Sequence, residues 1–109
     1  ERLFVAKFTD AVNKSLESGT LDYDFIASEM CMTRSHLNRK LKAITGLTST
    51  DHIKAIRISL AKTLLDTTDM KVESIALRCG VDDMAYFSSL FRKATGMTPT
   101  AWRTRCRRA

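Results

Sequence analysis

Residues that stop a helix are scarce in this sequence, which has one proline and four glycines among 109 residues. No apolar run, the stretch Leu3–Ala6 included, approaches the roughly 20 residues of a membrane-spanning helix. The three cysteines and two histidines form neither a Cys-x-x-Cys pair nor a zinc-finger spacing. We therefore expect no membrane contact, no metal and no cofactor, and we expect Cys31 and Cys79 to be small buried apolar residues.

Positive charge is concentrated after residue 30. Apolar residues make up 44% and charged residues 28% of the sequence, the balance of a globular protein with a packed core. The formal net charge is +6, although the first 30 residues carry three basic and six acidic side chains. A basic surface suits an anionic partner, but it also occurs as a merely solvated face, so the pattern of residues has to decide.

Apolar spacing and glycine positions predict an all-α chain of seven helices. The four glycines each fall where a helix should end, and Asp22, Thr33 and either Asp82 or Asp83 are suited to cap the helices that follow them. The predicted helices cover residues 2–18, 22–30, 33–45, 49–66, 71–79, from 82 or 83 to 95, and from 98 through 102. The residues expected to face inward in the second, third and sixth helices are Phe25, Ile26, Met30, Leu37, Leu41, Ile44, Phe87, Phe91 and Ala94.

The longest predicted helix is expected to act as a linker between two lobes. Its apolar residues form two stripes about 130° apart around the helix axis. One stripe is Ile53, Ile56, Leu60 and Leu64, and the other is Ile58, Ala61 and Leu65. Such a helix can pack on two sides and would span about 27 Å. We therefore divide the chain into a first subdomain (1–48), a linker helix (49–66) and a second subdomain (67–109).

One structural unit is repeated. A shift of 50 residues places Leu37 on Phe87 and the Thr-Gly-x-Thr sequence of residues 45–48 on that of residues 95–98. Two amphipathic helices would match in their apolar residues by chance, but the shared helix ending favours a true repeat. Each subdomain thus contains a similar pair of helices.

Each pair has the helix-turn-helix pattern. A short helix with a small residue, Ala27 or Ala76, is followed by a turn and by a second helix with an exposed polar front. The major groove, about 12 Å wide, accepts such a second helix with its first turns against the base edges. No acidic residue occurs from Cys31 to Thr50. The pattern therefore predicts binding to double-stranded DNA.

Four motifs resemble the C-terminal DNA-binding domain of the AraC family of bacterial transcription regulators. They are Thr33–Lys42, then Ile56-Arg57 with Ala61 and Leu64-Leu65, then Ile75-Ala76 with Gly80, and Tyr86–Pro99. The resemblance covers almost the whole chain and implies that the third and sixth helices enter successive major-groove segments. The first unit is most similar to the output domains of hybrid two-component regulators, which implies fused sensor and receiver domains in the parent protein.

The resemblance also implies roles for individual residues. The residues expected to read bases are Ser35, Asn38, Arg39, Ala85, Tyr86, Ser88 and Ser89, of which Arg39 suits guanine and Asn38 suits adenine. The residues expected near phosphates are Thr33, Arg34, His36, Lys42, Thr50, Arg57, Arg92, Lys93 and Thr98. Ser89 stands where the family often has arginine, so we expect the second unit to read its site less stringently. The arginine-rich tail, Arg103 to Arg108, is expected either to add nonspecific affinity or to be a solvated end.

Two other classes of function compete with DNA binding. An enzyme would need one of the three cysteines as a nucleophile, and no activating cluster surrounds any of them in the sequence. A helical protein-interaction module, docking on RNA polymerase or on a receiver domain, would leave the repeated recognition helices unexplained. Because the chain begins with Glu1 and shows no leader, we expect a piece of a longer cytoplasmic protein.

Overall fold

The computed structural model describes residues 1–107, and these form seven α-helices and no strand. The predicted all-α class is confirmed. The helices are α1 (Arg2–Glu17), α2 (Tyr23–Glu29), α3 (Arg34–Thr45), α4 (Ser49–Thr67), α5 (Val72–Arg78), α6 (Met84–Thr95) and α7 (Pro99–Arg107). α7 ends five residues later than predicted, because its predicted end at Trp102 carried no stop signal.

Polar side chains cap the starts of α2, α3 and α6, as predicted. Asp22 accepts hydrogen bonds from the amides of residues 24 and 25, and Thr33 accepts one from the amide of His36 at 3.1 Å. Asp83, rather than Asp82, accepts from the amide of Tyr86 at 3.1 Å. Each cap satisfies amides that the first helical turn leaves without partners, and so fixes the residue at which the helix begins.

The ends of α3 and α6 repeat one another in atomic detail. Gly46 and Gly96 lie in the left-handed region, at φ +77° and +80°. In each copy the preceding threonine, Thr45 or Thr95, donates to a carbonyl one turn earlier and accepts from the amide two residues later. The Thr-Gly-x-Thr sequence is therefore a shared helix ending.

The turns inside the two helix-turn-helix units are also equivalent, and their geometry explains why Cys31 is not buried as predicted. Cys31 has φ +57° and Gly80 has φ +79°, and in each turn the following residue donates an amide hydrogen bond back to Ala27 or Ala76. Because Cys31 occupies the tip of this turn, it is exposed, and its predicted burial is wrong. Cys79 precedes the equivalent glycine and is fully buried, as predicted.

The described chain forms two compact units, Glu1–Ile56 and a second from Arg57 onward. The buried apolar residues of the first unit are Phe8, Ala11, Val12, Leu16, Ile26, Ala27, Leu37, Leu41, Ile53 and Ile56. The core of the second unit is Ile58, Ala61, Leu65, Ile75, Ala76, Cys79, Val81, Phe87 and Phe91. Phe25 and Ala94, predicted to face inward, are exposed.

The two predicted stripes of α4 do not separate as expected. Leu60 and Leu64 belong to the first stripe, but they pack against the second unit's core together with the other stripe's residues. Only Ile53 and Ile56 of that stripe lie in the first unit. Residues early in α4 therefore pack in the first unit and later residues pack in the second, whichever of the two stripes they belong to.

The C-terminal helix is tied to the end of α4. Arg103 donates from Nε to the carbonyl of Leu65 and from Nη2 to that of Thr68, each at 3.1 Å. Arg107 pairs with Asp69 at 2.7 Å. These two arginines of the tail are thus held by groups at the end of α4 and in the segment that follows it. Arg108 lies outside the described residues.

Phe87, Phe91 and Trp102 pack together in the second unit, and the inward position predicted for Phe87 and Phe91 is confirmed. The ring of Trp102 meets that of Phe91 edge-on, with centroids 5.9 Å apart, and Phe87 lies against Phe91. Phe87 and Phe91 are fully buried. The two phenylalanine rings are therefore packing residues and offer no surface on which a nucleic-acid base could stack.

Candidate nucleic-acid interface

The front of α3 is a continuous polar surface. Leu37 and Leu41 are buried against the first unit and hold the opposite face of the helix. The remaining predicted side chains of α3 are exposed, namely Arg34, Ser35, His36, Asn38, Arg39 and Lys42. Because none of these is acidic, this front presents hydrogen-bond groups and positive charge to solvent.

An open concavity lies beside this front, within the first unit. It is lined by Tyr23, Arg34, Asn38, Arg39, Lys42, Ala43, Thr48, Ser49 and Thr50. The first residues of α4 and three basic side chains of α3, Arg34, Arg39 and Lys42, thus line the same concavity. The structure brings together five predicted site residues here: Arg34, Asn38, Arg39, Lys42 and Thr50. Thr33, Ser35 and His36 do not line the concavity.

The start of α4 contributes residues that sequence reasoning missed. Thr48 accepts a hydrogen bond from the amide of Asp51 at 3.1 Å and so caps α4. Its counterpart Thr98 accepts from the amide of Ala101 at 3.2 Å. The repeat places Thr48 on Thr98 and could have identified it, since Thr98 was already predicted as a helix start.

Asn38 is held by the same segment. The hydroxyl of Ser49, a residue only 6% exposed, donates to Oδ1 of Asn38. The bond turns Oδ1 toward the start of α4 and uses one of the two acceptor positions of that oxygen. No sequence signal indicated the contact, because the two residues lie 11 positions apart on different helices.

The basic residues of the concavity differ in their partners. Arg34 lies 3.7 Å from the carboxylate of Asp24 and stacks over the ring of Tyr23, with its guanidinium carbon 5.1 Å from the ring centroid. Within residues 1–107, neither Arg39 nor Lys42 belongs to an ion pair. Their charges are therefore available to an anionic partner.

The second unit presents a less charged front. On α6, Ala85, Tyr86 and Ser89 are exposed, and Ser88 is half-buried. Tyr86 is 45% exposed, and Asp83 caps its amide. The basic residues Arg92 and Lys93 are exposed in the last turn of the helix. The groups predicted to read bases here are hydroxyls and a methyl rather than charged donors.

Arg57, predicted to contact phosphate, is half-buried and does not line the concavity. Its Nε lacks a hydrogen-bond partner among residues 1–107. This atom is buried, so in this conformation it is not accessible to an external acceptor.

The buried thiol has no catalytic character. Burial raises the pKa of Cys79 to about 11, and nearby Arg78 and Arg57 only partly oppose this effect. A thiol that stays protonated at neutral pH is a poor nucleophile.

Across the part of the chain that the structure describes, no three His, Cys, Asp or Glu side chains are grouped to hold a metal ion. In that same part, none of the helices is both long and apolar enough to cross a membrane.

The repeated helix-turn-helix geometry agrees with a comparison against protein families. The family model described as a helix-turn-helix domain matches residues 26–105, from within α2 almost to the end of α7. The chain belongs to the AraC-type helix-turn-helix family. This is a family of DNA-binding domains of transcription regulators rather than of enzymes.

A curated relative of this AraC-type domain is the HTH-type transcriptional activator RhaR of Enterobacter sp. (strain 638). It is 36% identical over 103 residues, which cover 94% of this chain and 36% of the relative. The chain thus spans about a third of the length of the curated relatives that it matches.

Solved structures of similar domains share the fold. The C-terminal domain of AraT, a response regulator from Geobacillus stearothermophilus, is 28% identical with a TM-score of 0.78, covering 93% of this chain and 84% of that one. An AraC-type regulator from Chromobacterium violaceum is 25% identical with a TM-score of 0.84, covering 96% and 93%. The DNA-binding domain of AdpA, solved in complex with a target DNA, is 27% identical with a TM-score of 0.76, covering 94% of each chain.

Proposed function

We propose that this AraC-type domain binds specific sites on double-stranded DNA through two helix-turn-helix units and thereby regulates bacterial transcription. The observation that carries the proposal is the exposed, acid-free front of α3 beside a concavity with three basic side chains. The equivalent caps and helix ends of the second unit support a second recognition helix, α6. The complex of AdpA with DNA supports the same kind of partner.

In the first unit, Ser35, Asn38 and Arg39 are proposed to read bases. The guanidinium of Arg39 suits O6 and N7 of guanine, a pair that discriminates by about 1–3 kcal/mol. Thr33, Arg34, His36, Lys42 and Thr50 are proposed to contact phosphates. Phosphate contacts set the position of the helix along the duplex, whereas base contacts set the sequence preference.

In the second unit, Ala85, Tyr86, Ser88 and Ser89 are proposed to read bases, with Arg92, Lys93 and Thr98 near phosphates. Arg57, the first residue of the part of α4 that belongs to the second unit, is proposed as a further phosphate contact. Hydroxyl and methyl contacts discriminate less than a charged fork does, so the second half-site should tolerate more base changes.

The proposed organisation is a first subdomain over residues 1–48, a linker helix over 49–66 and a second subdomain over 67–109. Successive major-groove segments on one face of DNA are about 34 Å apart. A helix of 19 residues, as α4 is, spans about 28 Å. The remaining distance would be met by tilting the two subdomains or by bending the DNA, and bending would cost about 1–6 kcal/mol.

The parent protein is proposed to be a cytoplasmic activator with fused sensor and receiver domains, and RNA polymerase is proposed as a further partner. The likeness to the C-terminal domain of the response regulator AraT supports the receiver. The likeness to the activator RhaR, of which the matched part is about a third, supports the activator role and additional domains.

The proposal is tested by selecting bound sites from random duplex DNA. We expect a motif with two half-sites, and we expect Arg39→Ala to lose preference at one base pair of the more stringent half. Lys40→Ala is the matched control, because Lys40 is an exposed cation of the same helix that does not line the concavity. Its Nζ lies over the ring of Phe4 instead, 4.6 Å from the ring centroid. A shallow salt dependence with no selected motif would favour the protein-interaction alternative instead.

A further inference from the structure

One hydrogen bond joins the recognition helix to the start of α4. Ser49 is the first residue of α4, its side chain is nearly buried, and its hydroxyl donates to Oδ1 of Asn38. Asn38 itself is exposed in the middle of the α3 front. Both residues line the concavity that also holds Arg39 and Lys42.

This bond fixes which end of the Asn38 amide faces the protein. A free asparagine amide offers an acceptor at one end and two donors at the other, and it can turn to present either. When Oδ1 accepts from the nearly buried Ser49 hydroxyl, this oxygen is turned toward α4, and the two N–H groups of Nδ2 lie at the opposite end of the amide. In this orientation Asn38, like its neighbour Arg39, offers donors to a partner.

The major-groove edges of the four bases differ at one position in a way that a donor can detect. Guanine and thymine carry carbonyl oxygens there, O6 and O4, whereas adenine and cytosine carry amino groups. A side chain with donors alone is attracted to the carbonyl and opposed by the amino group. A freely turning asparagine favours adenine instead, because it can accept from N6 while donating to N7.

We propose that Ser49 is a specificity-determining positioning residue, which orients the Asn38 amide so that it selects a keto base, guanine or thymine, over adenine. This inference rests on the proposed function, since it concerns how α3 reads DNA. Ser49 need not touch the DNA, because it acts through the orientation of the exposed amide.

The second unit has no serine at the position equivalent to Ser49 and provides an internal comparison. The shift of 50 residues places Pro99 on Ser49 and Ser88 on Asn38. Proline carries no hydroxyl, so no equivalent hydrogen bond can be formed by its side chain. The effect of Ser49 should therefore be confined to one base pair of the first half-site.

The test compares the selected DNA motif of the native chain with those of Ser49→Ala, Ser49→Thr and Asn38→Ala. The native chain should prefer a keto base over adenine at the Asn38 position by roughly tenfold in affinity. Ser49→Ala should abolish or reverse this preference, and Ser49→Thr should retain it because the hydroxyl remains. Adding Ser49→Ala to Asn38→Ala should change the motif no further than Asn38→Ala alone.

Competition binding to four duplexes that differ only at this base pair gives the same comparison in solution. A Ser49→Ala motif identical to the native one would overturn the inference, as would a native preference for adenine. In either case a specific native motif would leave the proposed function intact, whereas the absence of any native motif would refute both. Far-ultraviolet circular dichroism of each variant checks that the domain is folded, and Ser49→Thr controls for changes at this position that keep the hydroxyl.

Discussion

Replacement of Arg103 by alanine should destabilise the second unit by about 2 kcal/mol. The side chain donates two hydrogen bonds at 3.1 Å, to the carbonyl of Leu65 and to that of Thr68, and so closes the end of α4. A charged donor at a helix C-terminus also interacts favourably with the helix dipole. In a domain of this size, the loss corresponds to a decrease in melting temperature of about 8 °C.

Arg105→Ala is the matched control, because it removes the same charge from the same helix. Arg105 is exposed, and its contact is a long one, 4.0 Å from Nη1 to the sulfur of Met97. Exposed residues of this kind contribute within about 0.5 kcal/mol. Thermal denaturation followed by circular dichroism measures both variants. If Arg103→Ala and Arg105→Ala melt at the same temperature, the tie between α7 and α4 does not stabilise the fold and the reasoning fails.

Two further predictions concern a helix cap and the thiols. Asp83→Ala should lower the free energy of unfolding, measured by urea denaturation, by about 1 kcal/mol, because it removes the acceptor for the amide of Tyr86. Asp82→Ala is the control and should cost far less, because Asp82 is an exposed neighbour without this bond. Equal losses would contradict the assignment of the cap. Since burial raises the pKa of Cys79 to about 11, its thiol should resist alkylation at pH 8 in the folded domain and react only after unfolding, while exposed Cys31 reacts at once. Mass spectrometry of the alkylated peptides distinguishes the two sites, and rapid modification of Cys79 in the folded state would show the core description to be wrong.

Helix boundaries could be predicted from sequence because their signals are local. An aspartate or threonine accepts from amides two or three residues later, as Asp22 and Thr33 do, and a glycine ends α3 at φ +77°. Such interactions depend only on neighbours in the chain. The repeat added strength to these predictions, since each unit ends in the same Thr-Gly-x-Thr sequence.

Contacts between distant residues could not be predicted in this way. Arg103 reaches groups 35 and 38 positions earlier, and the bond from Ser49 to Asn38 crosses from one helix to another. Cys31 was predicted to be buried from its apolar character, although the backbone at the turn places it at the surface. Phe25 and Ala94 show the same limit, because apolar character and helical spacing do not determine which partner covers a face.

Hydroxyl-radical footprinting on a selected site tests most directly the proposal that α3 and α6 together contact one face of a DNA duplex. We expect two protected patches whose centres lie about 10 base pairs apart, on the same face of the duplex. A single short patch, or two patches on opposite faces, would contradict it.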